Sequence, residues 1–349
     1  MWAKSCHPAS MGRPGIWRED CSPLAEPSHL ENVTPARKAV MTPKHVVVLL
    51  NAGAGSIDNG AHDKLRDQLQ SAFEKHAIET SLEFAPGADL EAAALRALER
   101  VKRGELDAVA AGGGDGTISA VAGALAGSDV VLGVIPLGTL NHFAKDLKIP
   151  LSIDDAVAVI ASGAVRQVDV GEVNGKVFIN NSSIGVYPYL VLDRERRRRS
   201  SGLSKPVAMA LAALRALRNL PLRRLLIQAE GWTEPCRSPL IFVGNNDYGL
   251  AGTALGARDR LDDGLLSLYV ARKQSALALS WLALRTVLGF RTPQRDLRIE
   301  QVSTLTISSH HKHRLLVAYD GEIEIMALPL VYRSRPGALR VFAPGTAPA

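Results

Sequence analysis

The sequence predicts an α/β plus β protein. An N-terminal doubly wound, parallel-sheet domain comes first, then a β-sandwich-like domain. Three observations lead there. Through about residue 164, short apolar runs rich in β-branched residues alternate with runs of helical periodicity. Three of the apolar runs end in polar, glycine-bearing stretches, at 51–56, 112–117 and 136–141. After Gly163 the helical runs give way to hairpin and short-strand patterns. The expected division is a disordered extension over 1–43, an α/β domain over 44–164 and a β-rich domain over 165–345.

Residues 1–43 carry prolines, two of the cysteines and scattered charges, with no sustained periodicity and no apolar segment of a secretory signal. Met41 directly precedes the first strand, so an upstream-extended start is expected. His45–Leu50 reads as a buried strand and ends in Asn51-Ala52-Gly53-Ala54-Gly55-Ser56. Residues 61–76 place Leu65, Leu69, Ala72 and Phe73 at helical spacing. A strand over Ile78–Phe84 and a helix over 89–103 follow, the helix closed by Gly104 as a C-cap. The strand Asp107–Ala111 leads into Gly112-Gly113-Gly114-Asp115-Gly116-Thr117, and a helix over Ile118–Ala126 leads out. Val130–Ile135 is the next strand, ending in Pro136-Leu137-Gly138-Thr139-Leu140-Asn141, and a helix over 152–162 closes this half. In a parallel sheet, loops at strand carboxyl ends share one rim, so the three glycine-bearing loops converge. Beyond them, Val165–Val173, Asn174-Gly175 and Lys176–Asn181 read as a hairpin with a type I′ turn. Further strands are expected at 223–229, 239–243, 265–271, 302–308, 314–319 and 322–327, with helical insertions near 203–219 and 275–289.

A buried strand, a glycine turn and a helix start together can hold phosphate. Glycine lets the backbone approach a ligand closely, and the first amides of the helix lack internal partners. The competing reading is a tight turn that binds nothing. Asp115 would repel a bare anion, so the loop implies a metal-nucleotide or hydroxyl partner. It is not a Walker loop, because no Gly-Lys-Ser/Thr follows, and the dinucleotide Gly-x-Gly-x-x-Gly spacing is missing.

The chain has 349 residues, 46% hydrophobic and 22% charged, enough for two globular cores. No apolar run reaches the length of a membrane span. A net charge of +6 and a pI near 9.3 favour an anionic partner. Only 5% of residues are aromatic and none interleave with basic runs, which argues against nucleic acid. Cys6, Cys21 and Cys236 show no metal spacing and no disulfide framework, which fits a reducing cytoplasm.

These stretches carry a family resemblance. Gly112–Thr117 and Pro136–Asn141 are similar to two signature loops of the diacylglycerol kinase catalytic domain family. Asn180-Asn181-Ser182-Ser183-Ile184-Gly185, Leu261-Asp262-Asp263-Gly264-Leu265-Leu266 and Asp320-Gly321-Glu322 resemble its further landmarks, in the same order. The likeness is to the soluble bacterial lipid kinase branch, related to sphingosine kinases, and covers about residues 44–345. Gly-Gly-Asp-Gly-Thr alone is shared with NAD kinases and, loosely, phosphofructokinases; the five landmarks together are specific.

The resemblance implies a two-domain kinase, with a nucleotide-binding N-terminal domain and its active site in the interdomain cleft, that uses ATP and Mg2+ to phosphorylate a lipid alcohol, diacylglycerol-like or sphingoid. Its nucleotide set would be Asn51, then Gly112, Gly113, Gly114, Asp115, Gly116, Thr117, Ile118, Ser119 and Ala120, then Gly138, Thr139 and Asn141; Gly114 to Ala120 would wrap the phosphates. Asp320 and Glu322 would be the acid pair receiving the hydroxyl proton, with Glu322 the first choice. Mg2+ would lie near Arg260, Asp263 and Leu265, held partly by main-chain oxygens, and Asp115 could hold a metal. The sequence departs from the family at 51–56, where relatives often have Asn-Pro, and at His142, where Asp is usual.

Plainer readings stand beside these. Asp320-Gly321 and Asp262-Asp263-Gly264 also read as ordinary turns. Asn245-Asn246 reads as cleft lining or as a polar turn. The basic run Arg194 to Arg199 is a solvated loop or an attraction to anionic lipid head groups, and Leu203–Leu220 beside it is an amphipathic membrane contact or core. His310, His311 and His313 read as a surface loop. The alternatives to a lipid kinase are a soluble-metabolite kinase acting on a molecule such as NAD, or a nucleotide-binding sensor without catalysis. The expected location is the cytoplasm, with peripheral contact at an anionic inner membrane face, and sheet edges leave room for a homodimer.

Overall fold

The computed structural model describes residues 41–53, 59–188, 223–249, 257–271 and 297–345. The extension to residue 40, residues 54–56 of the first glycine loop, the basic run Arg194–Arg199, the stretch Leu203–Leu220 and the expected helix near 275–289 lie outside the described residues.

The first half alternates as its periodicity requires. β1 (His45–Asn51), α1 (Asn59–Glu74), β2 (Glu79–Ala85), α2 (Leu90–Lys102), β3 (Ala108–Gly113), α3 (Asp115–Leu125) and β4 (Val131–Pro136) are followed by α4 (His142–Asp146) and α5 (Ile153–Ala161). The strands lie in the order β2-β1-β3-β4, all parallel. β1, β3 and β4 are covered on both faces, which is why they are apolar throughout, whereas the edge strand β2 is polar and partly exposed. Val47, Leu49, Val109 and Ala111 meet Ala93, Ala97, Ile118, Val121 and Phe143 on one face. Val46, Val48, Leu50 and Ala110 meet Leu69, Phe73, Val157 and Ile160 on the other. The chain leaves β1 toward β2 on one side and returns to β3 on the other. The crevice outside the carboxyl ends of β1 and β3 is therefore the switch point where such sheets bind ligands.

Local chemistry sets the helix ends. Gly104 takes φ 74 after α2, its amide reaching Val101 O at 2.9 Å while Glu105 N reaches Arg100 O at 3.0 Å, the Schellman pattern. The Ser152 hydroxyl caps α5 by accepting from Asp155 N at 3.2 Å. α3 begins at Asp115, three residues before the expected Ile118.

The second half contains β5 (Val165–Val173), β6 (Lys176–Phe178), β7 (Asn181–Gly185), β8 (Arg223–Ala229), β9 (Trp232–Ser238), β10 (Leu240–Asn245), β11 (Leu266–Ala271), β12 (Leu297–Val302), β13 (Thr304–Ser308), β14 (Arg314–Tyr319), β15 (Glu322–Ala327) and β16 (Leu330–Phe342). The expected type I′ turn joins β5 and β6, with Asn174 at φ 47 and Gly175 at φ 84. The run expected as one strand over 176–181 is divided: β6 pairs with β5, and β7 joins a different sheet. The run over 302–308 likewise divides at Ser303 between β12 and β13, which lie in different sheets.

One sheet is antiparallel with six strands, β12-β11-β10-β7-β14-β15. The other has ten and is continuous with the N-terminal sheet through β16. This last strand runs parallel to β4 at Arg340–Val341 and antiparallel to β5 and β13. Its bulge between Arg335 and Leu339 contains Pro336 and Gly337, the latter at φ 59. The two sheets enclose a sandwich core that includes Phe178, Ile184, Val243, Leu268, Leu305, Val317 and Tyr332. Among the described residues, no helix is long and apolar enough to cross a membrane.

Asp107 fastens the start of the parallel sheet. Its Oδ2 accepts the amides of Lys44 at 2.7 Å and His45 at 2.8 Å, with the His45 ring 3.6 Å away. Partial burial opposes ionisation, but the two amides and the ring outweigh it and hold the carboxyl below its ordinary value. A depressed folded pKa stabilises the fold above the unfolded value of about 3.9, and that contribution is lost as pH falls through the folded value. Asp107→Asn is expected to melt below wild type at pH 7, with the difference closing toward about pH 3. Equal melting temperatures at both pH values would contradict this.

Candidate active site

Two loops, 112–117 and 136–141, meet at the carboxyl edge of the parallel sheet, and small residues let them touch. A Cβ on Gly113 would come within 2.6 Å of the Thr117 side chain, and one on Gly138 would run into the Gly114 Cα. Only backbone without side chains brings the 112–117 and 136–141 loops this close. Beside Gly116, by contrast, lies open space. Gly114 is the extended N-cap of α3 and supplies no capping side chain. The first intrahelical bond runs from Ile118 N to Gly114 O, so the amides of Asp115, Gly116 and Thr117 have no intrahelical partner and, among the described residues, no other, at the positive end of the dipole.

Each of the remaining loop residues has a defined place. Asp115 Oδ1 accepts from Phe143 N at 3.2 Å, tying α3 to α4; no hydrogen bond reaches its other oxygen among the described residues. Asn141, at φ 50, is buried and closes its own loop, accepting from Gly138 N at 3.0 Å and donating to Gly138 O at 2.8 Å. That leaves Thr139 and Leu140 exposed at the tip. Asn51 Oδ1 accepts from Gly53 N at 2.9 Å in a local turn. Thr117, Ile118 and Ser119 are buried in the body of α3, and Ala120 is half-buried.

The Asp-Gly-Glu stretch is both a turn and part of this edge. Asp320 (φ 46) and Gly321 (φ 92) form the two-residue turn between β14 and β15, opposite the pair Tyr319 and Glu322. The Asp320 carboxylate turns inward. Its Oδ2 accepts from Ser119 Oγ at 2.5 Å and Ile179 N at 2.6 Å, and its Oδ1 from Asn180 N at 2.9 Å and Asn181 N at 3.0 Å. Burial raises its pKa above the ordinary aspartate value against the pull of these four donors. Glu322, two residues on, is exposed.

The segment so gripped, Ile179–Asn181, is where the chain passes from one sheet to the other. Its carbonyls are held from the opposite side. Ile179 O accepts from Arg258 Nη1 at 2.6 Å and Asn245 Nδ2 at 3.1 Å, and Asn180 O accepts from Tyr248 Oη at 2.8 Å. Arg258 also donates to Asn180 Oδ1 at 2.8 Å and, through Nε, to Asp146 Oδ2 at 2.8 Å. Burial pushes the Tyr248 phenol up to about 12, so it remains a donor. Asp146, Arg258 and Tyr248 were not legible as site residues. A buried arginine and an exposed one look alike in a single sequence, and α4 is too short for periodicity to reveal its inner face.

The Arg260–Leu265 loop is a second locality. Arg260 Nε lies 3.0 Å from Asp263 Oδ1 and 3.4 Å from Asp262 Oδ1. Asp263 N donates to Asn246 Oδ1 at 3.3 Å, Leu265 O accepts from Asn246 N at 2.9 Å, and Gly264 N donates to Asp169 Oδ2 at 2.7 Å. Asp169 Oδ1 takes Gly337 N at 2.7 Å, so this buried carboxylate pins the loop to the β16 bulge. Among the described residues, no hydrogen bond or ion pair joins Asp115 to this loop, and no three His, Cys, Asp or Glu side chains gather to hold a metal. The loop offers a cation main-chain oxygens, with the Asp263 side chain already against a guanidinium. Asp115 offers a carboxylate oxygen that no hydrogen bond reaches among the described residues. Asn245 serves the sheet crossing and Asn246 the loop, while His310, His311 and His313 are exposed between β13 and β14.

Gly138→Ala must displace the Gly114 backbone, because no flexible side chain can yield there. The expected cost is about 1–3 kcal/mol of stability, read by denaturant unfolding. Stability equal to wild type would mean that the two loops do not touch in solution.

Comparison with known proteins agrees with this architecture. Residues 45–173 match the family model described as the diacylglycerol kinase catalytic domain. Residues 193–343 match the model described as the YegS C-terminal NAD kinase beta sandwich-like domain. Proteins named diacylglycerol kinase from Staphylococcus aureus strains JH9 and Newman are each 29% identical over 277 residues, covering 78% of this chain and 84% of theirs. A crystal structure of a diacylglycerol kinase from Bacillus anthracis strain Sterne superposes with a TM-score of 0.61 at 20% identity, over 87% of this chain and 98% of that one. A second crystal structure from the same organism gives 0.67 at 21% identity, over 88% and 100%. One family model matches each half and the solved structures share the fold, so the chain is similar to diacylglycerol kinases along both halves.

Proposed function

We propose that the protein transfers the γ-phosphoryl group of ATP, with Mg2+, to the hydroxyl of a diacylglycerol-like or sphingoid lipid. The observation that carries this reading is the 2.5 Å bond from Ser119 Oγ to Asp320 Oδ2. It ties the helix of the glycine loop to the turn that bears Glu322, although 201 residues separate the bonded pair.

The residues present fit a metal-nucleotide. The unpaired amides of Asp115, Gly116 and Thr117 and the space beside Gly116 suit phosphate oxygens. The second Asp115 oxygen suits a hard cation, and Thr139 stands exposed at the rim for a further nucleotide contact. When bound, Mg2+ supplies neutralisation of the charge that phosphoryl transfer spreads over its oxygens. A cation at the Arg260–Leu265 loop would serve structure, through main-chain oxygens.

Proton transfer falls to Glu322 alone. A carboxylate has about four lone-pair positions, and Asp320 already fills that number with Ser119 and three backbone amides. Asp320 therefore holds the turn, and Glu322, exposed and strand-borne, takes the hydroxyl proton as the new oxygen–phosphorus bond forms and ADP leaves. Lipid is favoured over a soluble acceptor by the relatives along most of the chain, which are named diacylglycerol kinase. A lipid acceptor brings the protein to a membrane surface as a peripheral visitor, and its charge of +6 favours an anionic one.

The test is transfer of labelled phosphate from ATP to a panel of diacylglycerols, sphingoid bases and NAD, with and without Mg2+. Product on a lipid alone, and only with Mg2+, is expected. Product on NAD alone, or ATP binding with no product, overturns the reading. Glu322→Gln is expected to lower kcat by about 10²–10⁴-fold with little change in the KM for ATP. A variant within twofold of wild type would remove Glu322 as the base.

A further inference from the structure

We propose that Asp146 and Arg258 are a positioning pair for phosphoryl transfer, fixing the Glu322-bearing turn against the glycine loop without touching a reacting atom. The inference rests on the kinase reading above. The Arg258 side chain is 0% exposed and that of Asp146 5% exposed. Burying two charges removes their hydration, and an apolar pair of similar volume often stabilises a fold equally well. Arg258 also satisfies buried acceptors at Ile179, Asn180 and Asn245, but neutral donors could do that without a buried ion pair. What an arginine adds is direction, because its planar fork fixes several acceptors at once.

The acceptors form a closed circuit that begins and ends on α3. Asp115 of α3 accepts from Phe143 N of α4. Asp146, at the end of α4, accepts both the backbone amide (3.2 Å) and Nε (2.8 Å) of Arg258. Arg258 donates to Ile179 O, Asn180 Oδ1 and, at 3.2 Å, Asn245 O. The amides of Ile179, Asn180 and Asn181 donate to Asp320, which returns to α3 through Ser119. A single link between Ser119 and Asp320 would leave the turn free to pivot about it. The second link, through α4 and the sheet crossing, removes that freedom. α4 directly follows the Gly138–Asn141 loop, so the pair also ties that loop to the β14–β15 turn.

The test is the double variant Asp146→Leu/Arg258→Met, which removes both charges while keeping the volume filled. It is compared with wild type by melting temperature, MgATP KM, kcat on the lipid acceptor and hydrogen exchange of a peptide spanning 179–181. We expect a folded protein with a lowered melting temperature, because Asn180 Oδ1 and Asn245 O lose the Arg258 donors, a KM within twofold, kcat lower by about 10–100-fold, and faster exchange at those amides. A folded double variant with wild-type kcat and wild-type exchange overturns the proposal. A double variant that does not fold overturns it too, since the pair would then serve folding and not placement. If wild type transfers no phosphate to any lipid, the kinase reading fails separately. The exchange rate then decides for the pair: faster supports the link, unchanged removes it.

Discussion

The main chain at Ile179–Asn180 passes from one sheet to the other through the interior, between β6 and the start of β7 at Asn181. Its amides and carbonyls must still be paired there. A buried polar group left unsatisfied costs about 1–3 kcal/mol, against a total stability of about 5–15 kcal/mol for a typical domain. Three amides and two carbonyls are at stake, so leaving them open would consume most of what holds the fold together. Asp320 answers for the amides; Arg258, Asn245 and Tyr248 answer for the carbonyls. The same side chains anchor the candidate site. Asp320 is fixed by what the backbone needs, and Glu322 inherits its place from Asp320. Structural necessity and site geometry are one arrangement here.

β16 has a comparable role at larger scale. By pairing with β4 on one side and with β5 and β13 along its length, it makes the parallel sheet and one layer of the sandwich continuous. The bend comes at Pro336-Gly337, where Asp169 receives the Gly337 amide together with that of Gly264. The Asp262-Asp263-Gly264 turn is therefore set by the same residue that stabilises the bulge. The two halves therefore share backbone pairing.

Much of the fold was legible because parallel strands covered on both faces must be apolar throughout, as Val46–Leu50 and Ala108–Ala111 are. The convergence of the glycine loops followed from strand direction alone. The Asn174-Gly175 hairpin was legible from its turn chemistry. The crossing at Ile179–Asn180 was not, since Lys176–Asn181 reads as one strand and nothing local marks a change of partner. β16 was hidden by Pro336-Gly337, which argue against a strand anywhere but at a bulge. The landmark Asp320-Gly321-Glu322 was visible, but the inward turn of Asp320 was not, because a side chain's bonds to amides some 140 residues away leave no trace in spacing. Asp146 and Arg258 were invisible for the same reason.

The central claim is that the glycine loop and the β14–β15 turn serve one site. A crystal structure with Mg2+ and a non-hydrolysable ATP analogue tests it most directly. The account predicts the triphosphate against the amides of Asp115, Gly116 and Thr117, with the Glu322 carboxylate on the same side of the molecule and facing the terminal phosphate. Nucleotide bound elsewhere, or Glu322 directed away from that phosphate, would contradict it.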